Sequence, residues 1–462
     1  MPPPSGCPLT LTLLQRHPLF GKCSRKTSMA RLLIYAINYA PELTGSGKYT
    51  TELAEWFAVR GHQVDVITSV PHYPQWQVAP EYRALRFRRE RLNGVTVLRS
   101  NLHLPVKGRR VGAKARILLE TSFSLTSLRA WLPIWLGWRR YDAVLSVCPP
   151  LQTGVHPWLL RAWRGTPWVT HVQDLQVDAA LELNILSQPA LAALLRRVEG
   201  FLLSRADRVS TITEAMRRRL LDKGLPREQT WLLPNWASVD IDAAPAPHAL
   251  NRFRQRLGLA PDDLLVLYAG NLGEKQGVEI IPELARLLRH ESRLRFVVAG
   301  EGAMGSRLAQ LQAEYALENL TLLPLQPAEE LREMLSAADI HLVVQRRAAS
   351  DLVMPSKLTN ILAVGGVSLV TAEPGTTLHD VVTGAECGVA VEPEQAEALA
   401  AALLSLASDA GERARLSRNA AAYAREYLDK DHVLARFEGQ LLRLIGERRD
   451  RRGEGWRRGS AS

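Results

Sequence analysis

Two lysines that follow glycine- or proline-marked turns carry the clearest chemical signal in the sequence. The first lies in Tyr268-Ala269-Gly270-Asn271-Leu272-Gly273-Glu274-Lys275-Gln276-Gly277, between an apolar strand-like run and a helical stretch, Val278 to Leu288. Glycines let a backbone turn tightly and approach a ligand, and a helix N-terminus attracts anions. Lys275 adds a full positive charge where a diphosphate could sit. The second is Met354-Pro355-Ser356-Lys357-Leu358-Thr359-Asn360-Ile361-Leu362-Ala363, after an apolar run ending near Val344. Proline with serine beside it marks a helix start, and Lys357 sits in the same turn. Singly, each also fits an ordinary strand-to-helix turn or a capped surface helix. Two in one half of the chain favour a diphosphate site. Neither has the spacing of a Walker loop or a dinucleotide fingerprint.

His171 and Asp174 offer proton chemistry. They stand at the end of the run Trp168–Val172, where an imidazole could accept a proton and a carboxylate could orient it. A satisfied strand-end histidine with a capping aspartate is the alternative. Asp240-Ile241-Asp242 and Asp429-Lys430-Asp431 have the Asp-x-Asp form that can bridge a metal to a diphosphate. Neither ends a sheet strand, and no histidine–cysteine cluster competes, so no metal site is expected. Cys7, Cys23, Cys148 and Cys387 are too scattered for a zinc ribbon or a disulfide framework, which points to a reducing compartment.

The elements that must hold these residues follow from hydrophobic periodicity. Strand-like runs are Leu32–Ile37, Val64–Thr68, Val95–Leu98, Ala143–Val147, Trp168–Val172 and Arg208–Ile212. A second series is Leu264–Ala269, Leu294–Ala299, Leu320–Leu323, Ile340–Val344, Val367–Val370 and Gly388–Val391. Amphipathic stretches separate them; Tyr49, Leu53, Trp56 and Phe57 share one helix face. Strand and helix in alternation make parallel sheets covered on both faces. The fold class is therefore α/β, with two doubly wound Rossmann-like domains facing each other across a cleft. A length of 462 residues, 46% of them hydrophobic and 23% charged, suits two globular domains.

The expected division is an N-terminal domain over 29–235, a linker over 236–248 that includes Ala-Ala-Pro-Ala-Pro, and a C-terminal domain with terminal helices over 249–445. Residues 446–462 form a basic tail, expected to be disordered. Residues 1–28 contain no acidic residue and place Lys22, Arg25 and Lys26 after their short apolar run, the reverse of a signal peptide. They read as a disordered leader, or as sequence upstream of a working start at Met29.

The run from Met29 to about Ile445 resembles the family-4 retaining glycosyltransferases of the GT-B fold, in particular the colanic-acid and O-antigen enzymes of the fucosyl or acetamidofucosyl type. The likeness rests on Ile34-Tyr35-Ala36-Ile37-Asn38-Tyr39-Ala40-Pro41-Glu42 with Thr44-Gly45-Ser46-Gly47, His171-Val172-Gln173-Asp174 and Pro234-Asn235-Trp236. The Gly270–Gly277 loop, Gly300-Glu301-Gly302, Pro355-Ser356-Lys357, Glu373-Pro374-Gly375-Thr376 and Cys387-Gly388-Val389 with Glu392-Pro393 complete it. The resemblance implies a nucleotide-diphosphate sugar, GDP- or UDP-linked, on the C-terminal domain. Gly270, Asn271 and Lys275 would meet the diphosphate, helped by Lys357 and the amides near Ser356. Glu301 and Gly302 would lie beside the nucleotide, and Glu373, Gly375 and Thr376 near the sugar. The acceptor would enter against the N-terminal domain beside Gly45, Ser46 and Gly47, with His171 and Asp174 close to the donor sugar.

Two positions depart from the family pattern. Asn271 stands where the family usually has arginine. A usual glutamate pair eight positions apart falls on Leu352 and Asn360; Asn360 can hydrogen-bond a ribose, whereas Leu352 cannot replace a carboxylate, though Asp351 is adjacent. The resemblance implies retention of configuration without a protein nucleophile. Without metal or cofactor, the diphosphate charge falls to Lys275, Lys357 and helix dipoles.

A net charge of +11 favours anionic partners. Arg83, Arg86, Arg88, Arg89, Arg91, Lys107, Arg109, Arg110, Lys114 and Arg116 crowd one stretch, and Trp131, Trp135 and Trp138 with Arg139 and Arg140 follow. Docking on an anionic membrane surface is the expectation, against a merely solvated basic face. The stretch Ile117–Trp138 carries Glu120, Arg129 and Pro133, so it reads as a buried or interfacial helix rather than a spanning one. No nucleic-acid-binding module is present. Together these readings anticipate transfer of a sugar to a lipid-linked saccharide in exopolysaccharide or O-antigen biosynthesis, by a cytoplasmic protein peripheral on the inner membrane face. Alternatives are a nucleotide-sugar epimerase of the same fold and a non-catalytic, membrane-associated binding subunit.

Overall fold

The computed structural model describes residues 29–42, 45–73, 76–78, 80–83, 87–104, 113–178, 189–243, 248–347 and 356–459. The expectations placed on 1–28, on Thr44 and on Asp351 and Leu352 lie outside these residues.

Eight strands form the N-terminal sheet: β1 (Arg31–Tyr35), β2 (Gln63–Ser69), β3 (Phe87–Leu92), β4 (Val95–Ser100), β5 (Ala143–Cys148), β6 (Trp168–Val172), β7 (Arg208–Thr211) and β8 (Thr230–Leu232). Their order is β3-β4-β2-β1-β5-β6-β7-β8, parallel except for the β3–β4 pair. Six more form the C-terminal sheet: β9 (Leu264–Ala269), β10 (Leu294–Ala299), β11 (Leu320–Leu323), β12 (Ile340–Val343), β13 (Ser368–Thr371) and β14 (Gly388–Val391). They run β11-β10-β9-β12-β13-β14, all parallel. Alternate residues of one strand feed opposite cores. Leu32 and Ile34 point into one apolar layer, Leu33 and Tyr35 into the other.

The strand order reverses between β1 and β5 in one sheet and between β9 and β12 in the other. In open parallel sheets, ligands bind outside the carboxyl ends of the strands at these switch points. The Gly270–Gly277 loop leaves β9 there, and Val344-Gln345 leaves β12.

Periodicity missed two strands, β3 and β8. β3 hides inside the arginine-rich stretch, because an edge strand tolerates charges on both faces. Glu90 on β3 binds Arg99, which is buried on β4, and lies 3.1 Å from Arg88. Ile117–Trp138 divides at Ser127 into α2 (Ala113–Thr126) and α3 (Leu128–Trp135), following α1 (Ser46–Val59). Trp131 is core, edge-on to Tyr35 at 5.2 Å, whereas Trp138 stands exposed. Among the described residues, no helix is long and apolar enough to cross a membrane.

The C-terminal end needs a correction. Helix Lys430–Gly459 leaves the second domain and packs on the first, placing Val433, Leu434, Phe437, Leu441, Leu444 and Ile445 against Leu32, Ile34 and Phe57. These positions recur at helical spacing, which is why the helix must find an apolar face. Buried Glu438 accepts from His62 Nε2 at 2.8 Å and from Arg60 at 3.0 Å. The domain expected to end at 445 thus gives its last helix to its neighbour. The tail expected to be disordered is helical through 459, with Arg448 paired to Asp207 and Arg449 to Asp142.

Candidate functional site

A cavity of about 730 Å³ separates the two domains at both switch points. From the C-terminal side it is lined by Gly270, Lys275, Gln276, Gln345, Lys357 and Asn360; from the N-terminal side by Gly45, Ser46, Lys48, Tyr49, Gln173 and Asp174; and from the linker by Asn235 and Ser238.

Lys357 occupies the first turn of helix Ser356–Ala363. Its stem is partly exposed, but the ammonium nitrogen is covered and has no hydrogen-bond partner among the described residues. It rests 3.8 Å from the centroid of the Tyr268 ring, a cation–π contact. Burial pushes its pKa down to about 7. Gly270, with φ 140°, holds a backbone conformation that favours glycine, and a Cβ there would stand in ordinary contact with Lys357 Nζ at 3.5 Å. Lys275, on the turn Glu274–Gln276, brings a second, solvated cation to the same cavity.

The loop after β10 packs on the Gly270–Gly277 loop. Gly302 has φ 156°, and a side chain there would collide with the Leu272 carbonyl. The Leu272 amide donates to Glu301 O and the Met304 amide to Leu272 O, both at 2.8 Å. Gly302 and Glu301 thus clasp the Gly270–Gly277 loop, while the Glu301 side chain faces solvent and does not line the cavity. Asn271 also stays outside it, its carbonyl accepting from Tyr268 Oη at 2.7 Å. Asn360 lines the cavity and accepts from the Ser238 amide at 2.7 Å, tying the helix to the linker.

The turn after β13 sits away from the cavity lining. Glu373 pairs with Arg347, which also reaches Glu392 at 3.3 Å. Thr376, beyond Gly375, caps helix Thr377–Gly384 by accepting from the His379 amide. Ser356 opens the Lys357 helix.

On the opposite wall, α1 begins at Gly45, whose φ of 56° suits glycine. Gly47 is buried: a Cβ there would press to 2.7 Å on the Glu42 carbonyl. His171 is covered within the sheet. Its Nδ1 meets Ser210 Oγ at 3.0 Å, its Nε2 receives Gln173 Nε2–H at 3.1 Å, and burial pushes its pKa down to about 4. Both ring nitrogens are occupied, so β6 presents Gln173 and Asp174 to the cavity in place of the imidazole expected there. Burial pushes the Asp174 carboxyl up, against the pull of Arg116 and of Lys275 from across the cleft.

The Asp-x-Asp pairs are used locally. Asp240 accepts from the Asp242 amide, Asp429 caps the terminal helix at His432, and Asp431 accepts from Trp56 Nε1. Sequence reasoning also passed over Lys48, which contacts Ser238 Oγ, and Gln345, whose Nε2 is buried without a partner among the described residues. A signal existed for each. Lys48 directly follows the glycines of the α1 start, and Gln345 is the first polar residue after the switch-point run of β12.

Comparison with known proteins identifies this pair of Rossmann-like domains. Residues 44–236 match the Glycosyl transferase 4-like domain, and residues 251–423 match Glycosyl transferases group 1. The chain is 38% identical over 418 residues to the colanic acid biosynthesis glycosyl transferase named WcaI of Escherichia coli (strain K12), covering 88% of this chain and 98% of that one. This chain belongs to the family-4 glycosyltransferases of the GT-B fold. It is an enzyme of that class. Among solved structures, sucrose-phosphate synthase from Thermosynechococcus elongatus superposes with a TM-score of 0.68 at 19% identity, over 90% of this chain and 99% of that one. Anabaena Alr3699/HepE in complex with UDP gives 0.65 at 15% identity, over 89% and 99%. At these identities the likeness is one of fold.

Proposed function

We propose that this glycosyltransferase transfers a sugar from a nucleotide-diphosphate donor, seated against Gly270, Lys275 and Lys357, to a lipid-linked saccharide in exopolysaccharide or O-antigen assembly. The observation that carries the donor site is Lys357, whose covered ammonium lines the inter-domain cavity without a hydrogen-bond partner among the described residues. Such a group is costly to keep unless an anion arrives to meet it. The HepE structure holds UDP, and WcaI is named for colanic acid biosynthesis; both support the donor class and the pathway class.

In the proposed reaction the glycosidic C–O bond to the diphosphate breaks through an oxocarbenium-like state. Lys275, Lys357 and the N-terminus of helix Ser356–Ala363 stabilise the negative charge that grows on the leaving oxygen. The acceptor oxygen bonds to the anomeric carbon on the same face, and its proton passes to the leaving phosphate, so configuration is retained. No metal or cofactor takes part in this reading, and a chelator should leave transfer unchanged.

Membrane docking belongs to the same reading. Leu132, Leu136 and Trp138 on and after α3, with Leu159 and Trp163 on α4 (Val155–Arg164), are exposed on packed neighbouring helices. Arg139 and Arg140 flank them, and Arg129 of α3 stacks on Phe87 of the arginine-bearing edge strand β3. Apolar side chains beside cations suit the interface of an anionic bilayer, where a lipid-linked acceptor is presented. In this reading the protein works at the cytoplasmic face of the membrane, where the acceptor is presented. The test of the central assignment is Lys275→Ala: transfer should fall at least about a hundredfold, the scale of losing one preorganised charge partner, with melting temperature unchanged. Full activity in a folded variant would refute it.

A further inference from the structure

A second cavity, of about 330 Å³, opens beside the cleft within the N-terminal domain. The two share the lining residues Gly45, Ser46 and Pro149, so they adjoin at the start of α1. Among the described residues, nothing lies within 4 Å of where a Gly45 Cβ would stand. The lining differs from that of the donor wall: it combines the rings of Tyr73 and Trp76 with Asn38, His72, Arg116 and Glu120.

These residues are built into place. Trp76 holds φ at 52°, an expensive conformation for a bulky side chain and one that persists where surroundings enforce it. Its ring is braced edge-on by Tyr73 at 5.5 Å and by His72 at 6.0 Å. Beneath, the buried Glu42 carboxylate accepts from the Tyr73 amide at 2.6 Å, from the His72 amide and from Asn38 Nδ2 at 2.8 Å. Glu120, 4% exposed, accepts from Arg116 Nε and from Gln176 Nε2, each at 3.0 Å. A carboxylate has about four acceptor positions, so capacity for ligand hydroxyls remains.

We infer that this cavity is the subsite for a neutral hexose ring of the acceptor, with the Trp76 ring as the apolar platform, Tyr73 standing edge-on beside it, and the Glu120–Arg116 pair binding its hydroxyls. The inference rests on the glycosyltransferase reading above, since it names what enters opposite the donor. Rigid amphipathic rings give a sugar's C–H face contact at low entropic cost, and a few fixed polar groups orient it. From this subsite a hydroxyl reaches the donor cavity past Gly45 and Ser46.

The test titrates octyl glucoside, galactoside, fucoside and N-acetylglucosaminide into the full chain, read by ligand-observed NMR, alongside melting shifts with UDP and GDP. At least one hexoside should bind the wild type. Trp76→Ala should weaken it about tenfold, the value of one aromatic stacking contact. Trp76→Phe should recover most of that loss, and Glu120→Gln should weaken binding as well, while the nucleotide-induced melting shift stays. Failure of every hexoside to bind the wild type, or equal binding by Trp76→Ala, overturns the subsite. If Trp76→Ala does not fold, Arg116→Ala replaces it, and unchanged hexoside binding by that variant is equally decisive. A nucleotide shift without hexoside binding sinks the subsite alone. Trp76-dependent hexoside binding without any nucleotide shift upholds the subsite and sinks the donor reading.

Discussion

An ammonium group with no counterion is held inside a protein at a cost, and among the described residues Lys357 has neither a carboxylate nor a hydrogen-bond partner. Its native pKa of about 7 lies below lysine's ordinary value, so the native state binds fewer protons than the unfolded chain. The penalty is therefore full below about pH 7 and fades as pH rises from there toward the ordinary value. Lys357→Met should raise the melting temperature at neutral pH while abolishing the melting shift by a nucleoside diphosphate. A shift that survives in this variant would remove the lysine from the donor site. His171 makes the contrasting case: covered and doubly hydrogen-bonded, it positions Gln173, so His171→Asn should cost stability and leave any pH profile of transfer unaltered between about pH 5 and 8. Loss of an ionisation in that window would restore the imidazole to the reaction.

At the level of elements, the terminal helix fastens the two domains together. Phe437 is 1% exposed and lies 6.4 Å from Phe57, so Phe437→Ala should destabilise the protein by about 3–5 kcal/mol, measured by urea unfolding. A cost under about 1 kcal/mol would mean that this helix is not structural cement. Most central strands were legible because parallel strands buried on both faces read as unbroken apolar runs; β6, β9, β10, β11 and β14 keep their expected limits. The losses are equally physical. Edge strand β3 carries Arg88, Arg89 and Arg91, and β8 is three residues long. The reach of helix Lys430–Gly459 to the other sheet is a long-range packing choice that periodicity cannot express.

For the whole molecule, the decisive geometry is two switch points brought face to face. Local motifs identified Gly45, Ser46, Asp174, Gly270, Lys275, Lys357 and Asn360, and all of them line the cavity. Glu301, Gly302, Glu373, Gly375 and Thr376 are not among the lining residues; Gly302 and Thr376 shape the loop and the helix start beside it. Gln173, Gln345 and Lys48 escaped because their type says little until a cleft surrounds them. The same scale governs docking: Trp138→Ser with Trp163→Ser should weaken binding to vesicles containing anionic lipid by about tenfold or more, as the loss of two exposed aromatic side chains implies. Unaltered vesicle binding would mean that this face is not the one that docks.

The most direct test of the central claim is calorimetric titration of UDP and GDP into wild-type and Lys357→Met protein at about pH 6 and about pH 9. An anion raises the lysine's pKa in the complex, so binding above about pH 7 must take up a proton and weaken as pH rises, whereas binding below it takes up none. One diphosphate should bind wild type more tightly at the lower pH, with proton uptake at the higher pH, and Lys357→Met should lose both the affinity and the uptake. Equal affinities at the two pH values, or wild-type binding by Lys357→Met, would contradict the claim.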